Sequence, residues 1–211
     1  MDIKAVIFDL DGVIVHTDKY HYKAWKQIAD EMGIYFDEKI NDRLRGVSRM
    51  ESLDIILERY DGRLSDEKKA ELASRKNEAY RQYLKKMTPS DVAPEVLATL
   101  VKLREKNIKI AIGSSSKNAK LILNQVGLYL MFDAVSDGNN ITHSKPDSEV
   151  FSKAGEMLKK SPSNCMVVED AEAGIEAAKR AGMYAVLIGS GASGAKADYH
   201  INRLDELLDI L

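Results

Sequence analysis

Short apolar runs alternate along the chain with longer segments of helical periodicity. Apolar runs flanked by charged or turn residues are typical of strands buried on both faces of a parallel sheet. Gly127 and Gly182 directly follow two of the helical segments, as C-capping glycines do. The pattern predicts a doubly wound α/β fold with a mostly parallel sheet. The predicted strands are 3–8, 108–112, 166–168 and 185–188, and the predicted helices around them are 96–106, 118–126, 150–158 and 174–181.

The segment between the first two predicted strands departs from this alternation. It has no strand pattern, and Ser65 is the expected N-cap of its last helix, while Ser48 and Glu51 form a capping-box pattern. We therefore predict an α-helical cap domain at 19–86, inserted into an α/β core of residues 1–15 and 92–211, with hinges at 16–18 and 87–91. The helices predicted in the cap are 20–32, 37–44, 50–60 and 65–86.

The composition indicates a soluble globular protein and excludes several classes. The 31 Lys and Arg residues nearly balance the 33 Asp and Glu residues, so we expect no nucleic-acid partner. Cys165 is the single cysteine, forms no internal disulfide, and has apolar neighbours that predict a place in the core. No apolar stretch reaches the ~20 residues of a membrane span, and no basic leader pattern precedes the first strand. We expect a cytoplasmic protein with no membrane partner.

Acidic residues stand directly after two of the predicted strands. Asp9 and Asp11 follow the first strand, and Glu169 and Asp170 follow the third. Ligand sites of open parallel sheets lie at the carboxyl ends of the strands, so we expect the four carboxylates to meet there. Carboxylates that meet repel one another and stay ionised only when a cation offsets their charge. Their hard oxygen atoms suit Mg²⁺, which often shares phosphate oxygens with a substrate.

The second predicted strand is followed by groups that suit an anion. The segment Ser114-Ser115-Ser116-Lys117-Asn118 opens a predicted helix with hydroxyl and backbone N–H groups. Lys145, in Ser144-Lys145-Pro146 before a later helix, adds a positive charge where a phosphoryl group would need one. Together with a Mg²⁺ site, these groups predict a phosphate-bearing substrate.

An ordered set of motifs resembles the haloacid dehalogenase superfamily of phosphotransferases over nearly the whole chain. The resemblance implies the HAD-like Rossmannoid core of that superfamily, with an inserted helical cap. Cap and core motifs further resemble those of its sugar-phosphate mutases. The superfamily motifs are Asp9-Leu10-Asp11-Gly12-Val13, Ser114, Lys145 and Glu169-Asp170, and the mutase motifs are His21 with Trp25, Arg45-Gly46-Val47-Ser48-Arg49, Arg75-Lys76-Asn77 and the segment Ser114-Ser115-Ser116-Lys117-Asn118.

The resemblance implies a chemical role for each acid. Asp9 would be the nucleophile that forms an aspartyl phosphate. Asp11 would be the general acid and base that exchanges a proton with the sugar hydroxyl. Mg²⁺ would be held by the Asp9 side chain, the Asp11 main-chain carbonyl, Glu169 and Asp170.

Other residues would bind the rest of the substrate. Ser114 and Lys145 would hold the oxygens of the transferring phosphoryl group, as catalytic residues. Arg49 would hold a second phosphate, because the guanidinium fork matches phosphate geometry. His21 and Lys76 would couple closure of the cap to substrate binding. All the residues expected to bind the sugar phosphate, besides these catalytic ones, are Asp11, His21, Trp25, Gly46, Val47, Ser48, Arg49, Lys76, Ser115, Ser116, Lys117 and Asn118.

The resemblance implies an enzyme that interconverts β-glucose 1-phosphate and glucose 6-phosphate through β-glucose 1,6-bisphosphate. We expect this enzyme to be a monomer. A sugar-phosphate phosphatase of the same fold is the alternative, because it shares Asp9, Asp11 and the metal-binding acids. Arg49 with Lys76 favours the mutase, since a monophosphate hydrolase has less need of a second phosphate site. A non-catalytic sugar-phosphate sensor is a third hypothesis. It is disfavoured because a binding protein need not retain both Asp9 and Asp11.

Overall fold

The computed structural model describes residues 2–44, 47–189 and 196–211. Its strands are β1 (Ala5–Phe8), β2 (Lys109–Gly113), β3 (Ala134–Ser136), β4 (Cys165–Glu169), β5 (Tyr184–Ile188) and β6 (Tyr199–Ile201). They pair in parallel to form one 6-stranded sheet in the order β3-β2-β1-β4-β5-β6. The prediction of a doubly wound parallel sheet is confirmed.

The strand order decides where a site can form. Phe8 of β1 is in register with Ile112 of β2 on one side and with Val168 of β4 on the other. The chain runs outward from β1 to β3 and then crosses back to β4, which opens a crevice at the carboxyl ends of the central strands. The segments that follow β1, β2 and β4 therefore lie side by side at one edge of the sheet.

In the described part of the chain, four α-helices lie between β1 and residue 88. Trp25, Ile28, Leu53 and Leu72 belong to an apolar cluster that these helices form among themselves. Tyr80, by contrast, packs in the apolar layer on the sheet. The helical cap is confirmed, while its bounds at 19–86 and its two hinges stay predictions. The four helices are α1 (Asp18–Glu31), α2 (Glu38–Asp42), α3 (Arg49–Leu57) and α4 (Asp66–Leu84).

Helices cover both faces of the sheet. The apolar side chains of β1 alternate between two layers, with Val6 and Phe8 in one and Ala5 and Ile7 in the other. Cys165 is free and buried in the second layer, as predicted. The first layer contains α5 (Pro94–Glu105), α6 (Ala119–Gln125) and α9 (Leu207–Ile210), and the second contains α7 (Glu149–Leu158) and α8 (Glu172–Arg180).

The predicted helices all exist, with ends displaced by a few residues. Ser65 is the N-cap of α4, where its side chain accepts from the backbone N–H of Lys68 at 3.3 Å. Gly127 and Gly182 have φ values of 73° and 71°, as C-capping glycines require. The apolar pattern misses β3 and β6, because each has only 3 residues and a single buried side chain. Among the described residues, no helix is long and apolar enough to cross a membrane.

Candidate active site

A cavity of about 820 Å³ is lined by the carboxyl ends of the central strands and by α1, α3 and α4. It brings together residues as distant in sequence as Asp9 and Asp170. Gly46, also predicted for the site, lies outside the described residues. The other predicted site residues all line the cavity: Asp9, Asp11, His21, Trp25, Val47, Ser48, Arg49, Lys76, Ser114, Ser115, Ser116, Lys117, Asn118, Lys145, Glu169 and Asp170.

Carboxylates at the ends of β1 and β4 form an acidic cluster. Asp9, Glu169 and Asp170 each place an oxygen atom within 4.8 Å of the others. The buried Lys145 donates hydrogen bonds from Nζ to Asp9 Oδ1 and Glu169 Oε1. Glu169 Oε2 accepts from the backbone N–H groups of Asp170 and Ala171, both at 2.9 Å. The cluster can hold a divalent cation, because hard carboxylate oxygens are the ligands such ions prefer.

Two glycines make room for these acids. A Cβ atom on Gly174 would clash with the Glu169 carboxylate, and a Cβ atom on Gly12 would clash with the Asp170 carboxylate. Gly12 also has a φ of 93°, a conformation that other residues rarely adopt. Because the two carboxylates pack against backbone, they are held beside Asp9 despite their mutual repulsion. This packing fits a site for a cation.

Burial and neighbouring charges shift the pKa values of Lys145 and Glu169 in opposite directions. Burial would lower the pKa of the Lys145 ammonium, but the carboxylates of Asp9 and Glu169 outweigh it and raise that pKa above its ordinary value. Burial raises the pKa of the Glu169 carboxyl, and Lys145 opposes this shift. Lys145 is therefore charged at neutral pH, and its ammonium group can bind an anion beside Asp9.

The Asp11 carboxylate makes a separate set of contacts. Its Oδ1 accepts a hydrogen bond from Thr17 Oγ1, which also lies 3.0 Å from the Tyr80 hydroxyl. Burial raises the pKa of Asp11 to about 7, although the Thr17 hydrogen bond opposes the shift, and the charge of Asp9 adds to it. A carboxyl group with a pKa near neutrality can donate and accept a proton at physiological pH.

A buried lysine forms the centre of the cap wall. Lys76 Nζ donates to His21 Nδ1 at 2.9 Å, and it lies 4.8 Å from the Trp25 ring centroid and 4.7 Å from that of Tyr80. Burial lowers the pKa of Lys76 to about 7, and the charge of Arg49 contributes. Burial also lowers the pKa of His21 well below its ordinary value, so the ring accepts as a neutral imidazole. An anion bound beside Lys76 and Arg49 would offset the repulsion between their positive charges.

The serine-rich segment after β2 is shaped by its own hydroxyls. Ser114 Oγ accepts from the backbone N–H of Ser116, and Ser116 Oγ accepts from that of Asn118, each at 3.2 Å. Asn118 Nδ2 donates to Asn77 Oδ1 of α4 at 2.8 Å. Ser115 Oγ is buried and makes no hydrogen bond within the described residues. The segment thus presents a fixed backbone beneath the cap.

The start of α3 presents Arg49 to the cavity. Ser48 is the N-cap: its side chain accepts from the backbone N–H of Glu51 at 3.3 Å, and its own N–H donates to Glu51 Oε2 at 2.9 Å. The predicted capping box is confirmed. Because it fixes where the helix begins, it also fixes Arg49 as the first helical residue, partly buried at the cavity wall.

Several residues of the site were not predicted from the sequence. Tyr80 stands four residues after Lys76 on the same helix, so helical spacing was a signal that could have found it. Asn77 directly follows Lys76 and does not share its helix face, so only its place in the motif Arg75-Lys76-Asn77 pointed to it. Thr17 carries no such signal, because its contact with Asp11 depends on how the chain turns after β1. Gly174 likewise carries no signal in the sequence, because the need for glycine there comes from the Glu169 carboxylate packed against it.

The parallel sheet, the inserted helical cap and the acids at the strand ends define a class of protein. The family model of haloacid dehalogenase-like hydrolases matches residues 3–182. The chain belongs to this family.

Named relatives include mutases and phosphatases. β-Phosphoglucomutase of Bacillus subtilis is 44% identical over 207 residues, which are 97% of this chain and 92% of that protein. The crystal structure of β-phosphoglucomutase from Clostridium difficile has a TM-score of 0.90 and 39% identity, and the match covers 97% of this chain and 93% of that one. A fructose-1-phosphate phosphatase of Escherichia coli is 33% identical over 86% of this chain and 94% of its own length.

Proposed function

We propose that the protein is a β-phosphoglucomutase that interconverts β-glucose 1-phosphate and glucose 6-phosphate. One observation carries the proposal: a single cavity has the Asp9–Lys145 pair on its core wall, and Arg49 with Lys76 on its cap wall. A sugar with two phosphates needs a cationic group at each end, and this cavity offers both. The 44% identity to a β-phosphoglucomutase over nearly the whole chain supports the same conclusion.

Asp9 carries the phosphoryl group in this proposal. Its carboxylate oxygen attacks the phosphorus on C1 of β-glucose 1,6-bisphosphate, and an O–P bond to Asp9 forms as the bond to the sugar oxygen breaks. Asp11 gives its proton to that sugar oxygen, which yields glucose 6-phosphate. In the other half of the cycle, Asp11 takes the proton of the C6 hydroxyl of β-glucose 1-phosphate. That hydroxyl oxygen then attacks the phosphorus on Asp9 and regenerates the bisphosphate.

Mg²⁺ is the proposed cofactor. The carboxylates of Asp9, Glu169 and Asp170, with the main-chain carbonyl of Asp11, would hold it. Their hard oxygen atoms and the packing of two of them against glycines support this assignment. When bound, the ion would offset the charge between a carboxylate nucleophile and a phosphoryl group.

The remaining cavity residues would hold the two phosphates and the sugar. Lys145 and Ser114 would bind the transferring phosphoryl oxygens. Lys145 contacts Asp9 directly, and Ser114 follows β2, the strand that pairs with β1. Arg49 and Lys76 would bind the other phosphate from the cap. Ser116, Lys117 and Asn118 would help to bind it from the core. The residues proposed to complete the substrate site are His21, Trp25, Gly46, Val47, Ser48, Ser115, Ser116, Lys117 and Asn118.

We propose further that the enzyme acts as a monomer in the cytoplasm. The cavity is lined by residues of one chain, so no second copy is needed to complete it. The near balance of charge, with a formal net charge of −2, supports small-molecule sugar phosphates rather than nucleic acid as partners. Size-exclusion chromatography coupled to light scattering would test the monomer.

A sugar-phosphate phosphatase is the second candidate, favoured by the fructose-1-phosphate phosphatase among the relatives.

Phosphorus NMR separates the two functions in one experiment, with the purified protein, Mg²⁺, β-glucose 1-phosphate and a trace of an acyl-phosphate primer. We expect glucose 6-phosphate to form, with the bisphosphate appearing transiently and little inorganic phosphate. Inorganic phosphate as the main product would establish the phosphatase instead.

The variant Asp9→Asn is the control for the covalent step. It preserves the shape of the side chain but removes the nucleophilic carboxylate, so we expect it to form no glucose 6-phosphate. Circular dichroism should show that its fold is unchanged. Appreciable turnover in this variant would contradict the aspartyl-phosphate mechanism.

A further inference from the structure

A hydrogen bond between two asparagines ties the cap to the serine-rich segment of the core. Asn118 Nδ2 donates to Asn77 Oδ1 at 2.8 Å, although the two residues are 41 positions apart in the sequence. Asn118 is buried, with 4% of its surface exposed, and Asn77 is partly buried.

The contact continues into the core through the backbone. The N–H of Asn118 donates to Ser116 Oγ, and the N–H of Ser116 donates to Ser114 Oγ. A series of hydrogen bonds therefore runs from Asn77 on the cap to Ser114 at the end of β2. Under the proposed function, Ser114 binds the transferring phosphoryl group, and Ser116 and Asn118 bind the other phosphate.

Asn77 also lies where α4 passes from the cap to the core. Leu72 and Ala73 of this helix belong to the apolar cluster of the cap, whereas Tyr80 and Leu84 belong to the layer on the sheet. Asn77 stands between the two sets and contacts the core directly. The length of its hydrogen bond to Asn118 therefore depends on how the cap sits on the core.

The bond also decides which end of the Asn118 amide is available to a ligand. An amide group has two N–H donors on its nitrogen and lone pairs on its oxygen. In the structure Asn118 Nδ2 points towards the cap side, where Asn77 Oδ1 accepts from it. One N–H of Asn118 is then used by Asn77, and the second can donate to a phosphate oxygen.

We propose that Asn77 is a positioning residue that orients the Asn118 amide for the non-transferring phosphate when the cap is in place. The inference rests on the proposed function, because it concerns the second phosphate of a bisphosphorylated sugar. Asn77 acts through Asn118 and touches neither the reacting atoms nor Asp9. Its loss should weaken substrate binding while leaving the chemistry of the phosphoryl group intact.

The test compares Asn77→Ala with the wild type in the mutase reaction and in hydrolysis of acetyl phosphate, which has no second phosphate. We expect KM for β-glucose 1-phosphate to rise about 5-fold, the effect of one neutral hydrogen bond, with kcat nearly unchanged. Hydrolysis of acetyl phosphate should be unaffected. Glu78→Ala is the matched control, because Glu78 is an exposed residue of the same helix. It should leave both reactions unchanged.

A double-mutant cycle separates positioning from a general effect on stability. If Asn77 acts through Asn118, adding Asn77→Ala to Asn118→Ala should raise KM no further. Additive effects, or equal loss of both reactions, would overturn the inference. Asn77→Ser is a second variant whose shorter side chain cannot span the gap, and it should behave as Asn77→Ala does.

The same experiment tells a failure of this inference from a failure of the proposed function. A wild-type protein that releases only inorganic phosphate would overturn the mutase and the role of Asn77 with it. A wild-type mutase whose KM is the same in Asn77→Ala as in Glu78→Ala would overturn only the role of Asn77.

Discussion

Lys76 is a buried residue whose surroundings disfavour its charge. It is 2% exposed, and its ammonium lies between the rings of Trp25 and Tyr80. Burial and the charge of Arg49 lower its pKa from 10.5 to about 7. The aromatic faces and the neutral His21 ring offset only part of the cost of burying the charge. Under the proposed function, the phosphate bound at the cap wall would raise the pKa of Lys76 again and restore its charge.

The stability of the free protein should therefore depend on Lys76 and on pH. Between about pH 7 and pH 10.5 the unfolded chain binds a proton that the folded chain lacks, so wild-type stability rises with pH across this window. Below it, the full cost of the buried charge is present. We expect Lys76→Met to be more stable than wild type near about pH 6, by on the order of 3 kcal/mol, and the difference to shrink towards about pH 9.

Urea unfolding across this pH range measures the difference directly. Lys85→Met is the matched control, because Lys85 is an exposed residue at the end of the same helix. It should show no such trend. Parallel stability curves for wild type and Lys76→Met would show that Lys76 is not charged and buried as described.

At the scale of elements, the loop before α7 is held by the first residue of that helix. Glu149 Oε2 accepts from the backbone N–H groups of Thr142 at 2.8 Å and His143 at 2.7 Å. Lys153 and these backbone groups lower the pKa of Glu149 to about 2, so it is ionised at any working pH. Glu149 therefore fixes this loop to the start of α7. The same loop places Lys145 in the acidic cluster, where it contacts Asp9 and Glu169.

Loosening this loop should slow catalysis without touching a substrate contact. Glu149→Gln keeps the size of the side chain but loses its charge and one acceptor oxygen. We expect kcat of the mutase reaction to fall roughly 10-fold, because small displacements of a positioned catalytic group are costly. Glu156→Gln, an exposed position on the same helix, should leave kcat unchanged. Equal kcat values for wild type and Glu149→Gln would show that the loop does not need this clamp.

At the scale of the whole molecule, the cavity lies between two units with separate apolar interiors. One wall belongs to the sheet and carries Asp9 and Lys145, and the other belongs to the cap and carries Arg49 and Lys76. Under the proposed function, a bisphosphorylated sugar would bridge the two walls. The cap would then exclude water from the cavity, which would favour transfer to a sugar hydroxyl over hydrolysis.

Arg49→Ala should therefore separate the two reactions. Loss of a charge-assisted contact to phosphate is expected to lower kcat/KM for β-glucose 1-phosphate about 30-fold. Hydrolysis of acetyl phosphate, which needs only the core wall, should change little. The two rates are measured on the same preparation by phosphorus NMR. An equal loss of both would argue that Arg49 supports the cap structure rather than the second phosphate.

Much of this architecture follows from patterns within short stretches of sequence. The apolar runs predict the central strands, because a strand buried on both faces needs apolar side chains at every position. Ser48 with Glu51 and the N-cap Ser65 predict helix starts, because a capping side chain satisfies backbone groups only three residues away. The edge strands β3 and β6 escape prediction, since they are short and partly exposed.

The sequence by itself determined the central strands of the sheet and the inserted helices, because each depends on near neighbours in the chain. It also placed Asp9, Glu169 and Asp170 together at the strand ends, because ligand sites of parallel sheets lie there. The tertiary structure alone decided the contacts between residues far apart in the sequence. Thr17 meets Tyr80 across 63 positions, and Lys76 meets His21 across 55. These contacts depend on how α1 and α4 pack on each other and on the core, and that packing sets the burial that shifts the pKa values of Asp11 and Lys76 towards neutrality.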